Sequence, residues 1–155
     1  MAKEVMRRQA SDNEYLHKDF HGALSTGIEY LDTHYGEQAV KDYLREFAVT
    51  FYAPLIREIS ERGLAALSDH FWQVYEREGG DAEIRLTEDE LLINVPACPA
   101  VMHMRKNGYH VARRWVETTR TVNEALCEGT PFAAELVEYD EQTGRSRQRF
   151  YRRAR

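Results

Sequence analysis

Apolar residues recur every three or four positions through the first half of the chain and every second position in two later stretches. From Ser11 the pattern is helical, with Leu16, Phe20, Leu24, Ile28 and Leu31 on one stripe, a cap at Ser11 or Asp12, and a stop at Gly36. A second helix is predicted from Glu37 to Arg62, with Val40, Leu44, Phe47, Phe51, Leu55 and Ile59 inward. Pro54 should kink or divide it, because proline lacks the backbone donor and clashes with the preceding turn. A third helix, Leu64 to Glu78, carries Leu67, Phe71, Val74 and Tyr75 and ends at Gly79-Gly80.

The period then changes. Glu83 to Thr87 alternates, Glu88-Asp89-Glu90 turns, and Leu91 to Val95 follows, which reads as an antiparallel hairpin. Helices are expected over Ala100–Asn107 and His110–Cys127, the second with Val111, Trp115, Val122 and Leu126 inward and with Arg113/Glu117 and Arg120/Glu124 as i,i+4 pairs. A second hairpin joins Phe132–Tyr139 to Arg145–Arg152. The expected fold is therefore α+β: N-terminal helices packed on a four-stranded antiparallel sheet made of two hairpins, as one domain over residues 11–155. Residues 1–10 are polar and read as a frayed end.

Composition narrows the function classes. A chain of 155 residues, 43% hydrophobic, can bury a core and is too apolar to be disordered. The net charge of −5 argues against a nucleic-acid binder. No apolar run suits a membrane span, and MAKEVMRRQASDNEY lacks the apolar stretch of a signal peptide, so a cytoplasmic protein with reduced Cys98 and Cys127 is expected.

Candidate chemistry concentrates in Val95-Pro96-Ala97-Cys98-Pro99-Ala100-Val101-Met102-His103. Pro99 suits the first position of a helix and so places Cys98 at its N-cap, where free backbone N–H groups and the helix dipole favour a thiolate. Such a sulfur is a candidate nucleophile or metal ligand; the alternative is a small buried hydrophobe. His103, with Cys98, gives the minimum catalytic pair, and a satisfied half-buried histidine is the competing reading. His17 and His21, at i,i+4, continue the stripe of Leu24 and Ile28, and with Cys98 they form a candidate site for a zinc or iron ion. In the last strand Arg145, Arg147 and Arg149 share one face. Either that face lines a pocket, with Arg147 binding a substrate carboxylate, or it is the solvated side of an edge strand.

The helical first half, Cys98-Pro99 after a strand, Leu126-Cys127 near a helix end, and the closing Gly144…Phe150 hairpin resemble the L-2-amino-thiazoline-4-carboxylic acid hydrolase family. The plan is also similar to 4-vinyl reductase-type small-molecule-binding domains. The family carries a further cysteine in its final strand, where this chain reads Ser146-Arg147-Gln148-Arg149-Phe150. The resemblance implies hydrolysis of a small cyclic amidine, with Cys98 attacking or binding a metal, His17, His21 or His103 moving protons, and Arg147 holding a carboxylate. The rival reading is a non-catalytic domain that binds a small ligand or a metal. A homodimer through tyrosines and phenylalanines of the second and third helices is compatible with both.

Overall fold

The computed structural model describes residues 19–154. Along them run α1 (Asp19–Tyr35), α2 (Glu37–Phe51), α3 (Ala53–Arg62), α4 (Leu64–Glu78), β1 (Glu83–Leu86), β2 (Glu90–Val95), α5 (Pro99–Lys106), α6 (Glu117–Leu126), β3 (Phe132–Tyr139) and β4 (Ser146–Arg152). The fold is α+β, with an antiparallel sheet of order β1-β2-β4-β3. Ser11, Asp12 and Leu16 lie outside the described residues.

Proline chemistry divides the long second helix as expected. Pro54 cannot donate to the carbonyl one turn back, so α2 ends at Tyr52 and α3 restarts, with Ile56 N–H bonding the Tyr52 carbonyl at 2.9 Å. Its apolar face is split differently from expectation. Val40, Leu44 and Ala48 form the buried row of α2, and Phe51, read as inward, is 65% exposed. Phe20 is likewise exposed rather than buried, because it lies in the first turn of α1, beyond the reach of the core.

The expected helix over His110–Cys127 is formed only from Glu117. Upstream, the Ser25 hydroxyl of α1 donates to the His110 carbonyl (2.7 Å) and accepts from the Ala112 N–H (2.8 Å). Those bonds tie the backbone at His110 and Ala112 to α1, so the helical ladder starts late. The arginines of this stretch accordingly find other partners: Arg113 reaches Asp32 at 2.9 Å, and Arg120 reaches Glu117 at 2.7 Å. Glu117 is fully buried and would be costly uncompensated, but Thr121 also donates to it at 2.7 Å.

The helices cover one sheet face. Leu91, Ile93, Val95 and Phe150 point into it and meet Leu67, Phe71 and Leu126, with Phe71 and Phe150 ring centroids 5.5 Å apart. A second apolar cluster joins α1, α2 and α5 through Ile28, Val40, Leu44, Val101, Met104 and Trp115. The arginine strand β4 pairs on both sides and is interior, not the edge strand that the solvated reading assumed. Its arginines point away from the helices into a ladder of carboxylates: Arg149 with Glu90 (2.6 Å) and Glu135 (3.4 Å), Arg147 with Glu138 (3.4 Å). Among the described residues no helix is long and apolar enough to cross a membrane.

Candidate functional site around Cys98

Cys98 is the N-cap of α5, with extended backbone at φ −75°, ψ 120° and Pro99 in the first helical turn. The β3–β4 turn seals it from above. Cys98 N–H donates to the Thr143 carbonyl at 2.8 Å, and the turn itself is closed by Asp140, whose carboxylate accepts from the Thr143 hydroxyl at 2.6 Å. Gly144 sits at φ +66°, and a methyl group there would stand 2.4 Å from Cys98 Cβ. From below, the end of α4 closes in: a methyl on Gly80 would lie 2.4 Å from Pro99 and 3.4 Å from the Tyr75 ring.

The thiol lies between the two apolar clusters, in a seam where polar groups gather. Gln148 is inward on β4 and buried; it donates to Ser146 Oγ (3.0 Å) and the Tyr75 hydroxyl (3.4 Å) and accepts from Asn123 Nδ2 (2.8 Å). Tyr139, opposite Ser146 across the β3–β4 pair, shares this environment. At the rim, His21 Nε2 is 3.5 Å from a Glu78 carboxylate oxygen, both side chains mostly buried, and His21 sets its ring edge-on to Trp115.

Electrostatics here run opposite to the thiolate expectation. Burial pushes the Cys98 thiol up, and Glu78 adds to that; the Val101 and Ala100 N–H groups pull it down by less. The N-cap geometry is as expected, but desolvation outweighs it, so Cys98 is a neutral thiol at physiological pH. Burial raises Tyr75 and Tyr139 as well, and Cys98 contributes to both shifts. The seam therefore presents neutral donors and acceptors, with one carboxylate and one imidazole at its edge.

The other residues singled out in the sequence fall elsewhere. His103 has its ring nitrogens toward Asp19 (3.4 Å) and Asn107 (3.3 Å), and among the described residues neither bonds the Cys98 sulfur. Arg147 is half exposed on the outer sheet face, opposite in direction to Ser146 and Gln148, beside a groove of about 480 Å³ shared with Arg145, Asn94 and Glu83. His17 lies outside the described residues. Among those described, no three His, Cys, Asp or Glu side chains gather as a metal site. Cys127 is buried under the sheet, its thiol pushed up to about 12 by burial.

Glu78, Tyr75, Asn123 and Gln148 were missed in the sequence. Two signals were present: Glu78 stands in the last turn of a helix, against the dipole, and Ser146-x-Gln148-x-Phe150 puts polar residues on the inward period of a strand. Compared with protein-family models and with curated proteins, the chain matches none.

Proposed function

We propose that this chain binds a small polar molecule in the seam beside Cys98, as a ligand-binding domain. The observation that carries the reading is the buried polar group of Gln148, Asn123, Ser146 and Tyr75 next to a neutral thiol, between two apolar clusters. Sites for small molecules combine apolar walls with a few convergent polar groups; the seam has both, and the β3–β4 turn closed over Cys98 would have to lift to admit a ligand. Among the described residues no histidine bonds the Cys98 sulfur, and a neutral thiol in that setting supplies a weak donor and a soft contact surface.

Hydrolysis is the second reading, favoured by the His21–Glu78 pair and by the resemblance to L-2-amino-thiazoline-4-carboxylic acid hydrolases. In that case His21, oriented by Glu78, takes a proton from a water molecule whose oxygen adds to the amidine carbon as the C=N π bond opens onto nitrogen; the C–S bond then breaks, and the proton held by His21 passes to the departing sulfur as the ring opens. Cys98 then borders the substrate rather than attacking it.

A thermal-shift series with 2-amino-thiazoline-4-carboxylate and related heterocyclic amides and carboxylates separates the readings. Binding predicts a saturable rise in melting temperature that Cys98→Ala and Gln148→Leu abolish. Hydrolysis instead predicts ring opening that is lost in His21→Gln and retained in Cys98→Ala, in which the substrate still binds. A panel without any saturable shift refutes both.

A further inference from the structure

The β3–β4 turn, Asp140–Arg145, is closed on itself. Asp140 N–H donates to the Arg145 carbonyl and Gly144 N–H to the Asp140 carbonyl, both at 2.8 Å. The Asp140 carboxylate accepts from the Gln142 N–H at 3.2 Å and from the Thr143 hydroxyl at 2.6 Å, and that hydroxyl accepts from the Arg145 N–H at 3.2 Å. Among the described residues two hydrogen bonds tie this unit to the rest of the molecule, and both run to α5. Cys98 N–H, at the start of that helix, donates to the Thr143 carbonyl (2.8 Å), and the Arg105 guanidinium, in its last turn, donates to the Glu141 carbonyl (2.9 Å). On the β3 side, a bulge between Leu136 and Glu138 interrupts the ladder just before the turn. Gly144 closes on Cys98 and Val101 with backbone alone, so lifting it exposes no apolar side chain of its own. Between the turn and Trp115 lies a cavity of about 60 Å³, lined also by Arg105, Tyr139, Glu141 and Gln142. That is room for a few water molecules but not for a heterocycle, whose sites occupy about 300 Å³ or more.

We propose that this turn is a lid over the Cys98 seam and that Arg105 is its latch. The inference rests on the reading of the seam as a ligand site and adds how a ligand enters it. A turn that carries its own hydrogen bonds moves as a unit: lifting it breaks the two bonds to α5 and leaves those centred on Asp140 intact. The Arg105 bond lies on the surface, where water replaces both lost partners, so the latch opens at small cost. Once the Thr143 carbonyl also leaves Cys98 N–H, the backbone of Gly144 no longer stands over the Cys98 side chain. The small cavity beside Trp115 and Tyr139 then extends to the thiol, and closure over a bound molecule shuts out water again. Arg105 is a positioning residue in this scheme: it controls access to the thiol through the turn and touches neither thiol nor ligand.

Amide hydrogen exchange on the full chain without ligand tests it, because Cys98 N–H makes one of the two bonds that opening must break. In the wild type this amide should be protected at least tenfold less than the slowest amides of β2, a strand paired on both sides that opens only with the whole fold. Arg105→Met keeps the aliphatic stem and removes the donor. It should speed exchange at Cys98 about fivefold, and iodoacetamide labelling of the thiol in parallel, with the β2 amides unchanged. Wild-type protection at Cys98 equal to that of β2 overturns the lid, and this comparison decides alone should Arg105→Met fail to fold. An Arg105→Met variant that leaves Cys98 unchanged, or that speeds Cys98 and β2 alike, overturns the latch. These measurements need no ligand, so failure of the lid shows in the exchange rates and failure of the seam as a ligand site shows in the thermal-shift series.

Discussion

Gly144 shows how closely the β3–β4 turn is fitted over the thiol. Its φ of +66° is a conformation that side chains rarely adopt, and any Cβ would collide with Cys98 Cβ and, at 2.9 Å, with Val101. Neither obstacle is a flexible side-chain end, so the turn must lift. Gly144→Ala should therefore cost about 2–4 kcal/mol of stability, read by urea denaturation, since strained backbone and overpacking add. A loss below half a kcal/mol would show that the turn does not press on Cys98. Cys98 itself was legible as an N-cap from Cys-Pro after a strand. Its protonation state was not, because the closing turn and the end of α4 that desolvate it come from distant parts of the chain. The same holds for Gln148: the period of β4 reveals an inward polar residue, but not that Asn123 and Tyr75 meet it.

At the scale of elements, the helices and hairpins follow from local spacing, and the departures have local causes. Pro54 divides α2 from α3 as its missing N–H requires. The late start of α6 has a cause that periodicity cannot carry, because Ser25 acts from 85 and 87 residues away, on His110 and Ala112. Ser25→Ala removes both bonds and leaves a buried N–H unpaired. It should destabilise the fold by about 1–3 kcal/mol and speed amide exchange at Ala112 selectively. Unchanged exchange there would mean that this backbone is held by something else. The arginine strand illustrates the other limit. Alternation correctly puts Arg145, Arg147 and Arg149 on one face, but strand order is a long-range property, and β4 lies inside the sheet with its arginines already facing carboxylates. Arg147 is thereby directed away from the Cys98 seam.

For the whole molecule, the groups shifted by burial define a pH window. His70 is held below its ordinary 6.5 by burial, so the folded state resists its protonation, and stability present above about 6.5 falls as pH drops through that range. On the alkaline side the Cys98 and Cys127 thiols are raised from 9.0, Cys127 to about 12. The unfolded chain ionises first, so their contribution is intact below 9 and is lost as pH rises toward 12. Denaturant midpoints measured across pH should form a plateau between those limits. Cys127→Ser should soften the alkaline fall, and an identical alkaline slope in that variant would contradict the assignment.

Occupancy of the seam beside a neutral, largely buried Cys98 by a small polar molecule can be read from the rate at which iodoacetamide labels that residue, followed by peptide mass spectrometry. Without ligand, slow labelling of Cys98 that accelerates with pH is expected. With saturating 2-amino-thiazoline-4-carboxylate, or whichever member of the heterocycle series raises the melting temperature most, Cys98 should be protected at least tenfold. The same labelling rate at Cys98 with the stabilising compound bound would place the ligand elsewhere and rule out binding in the seam.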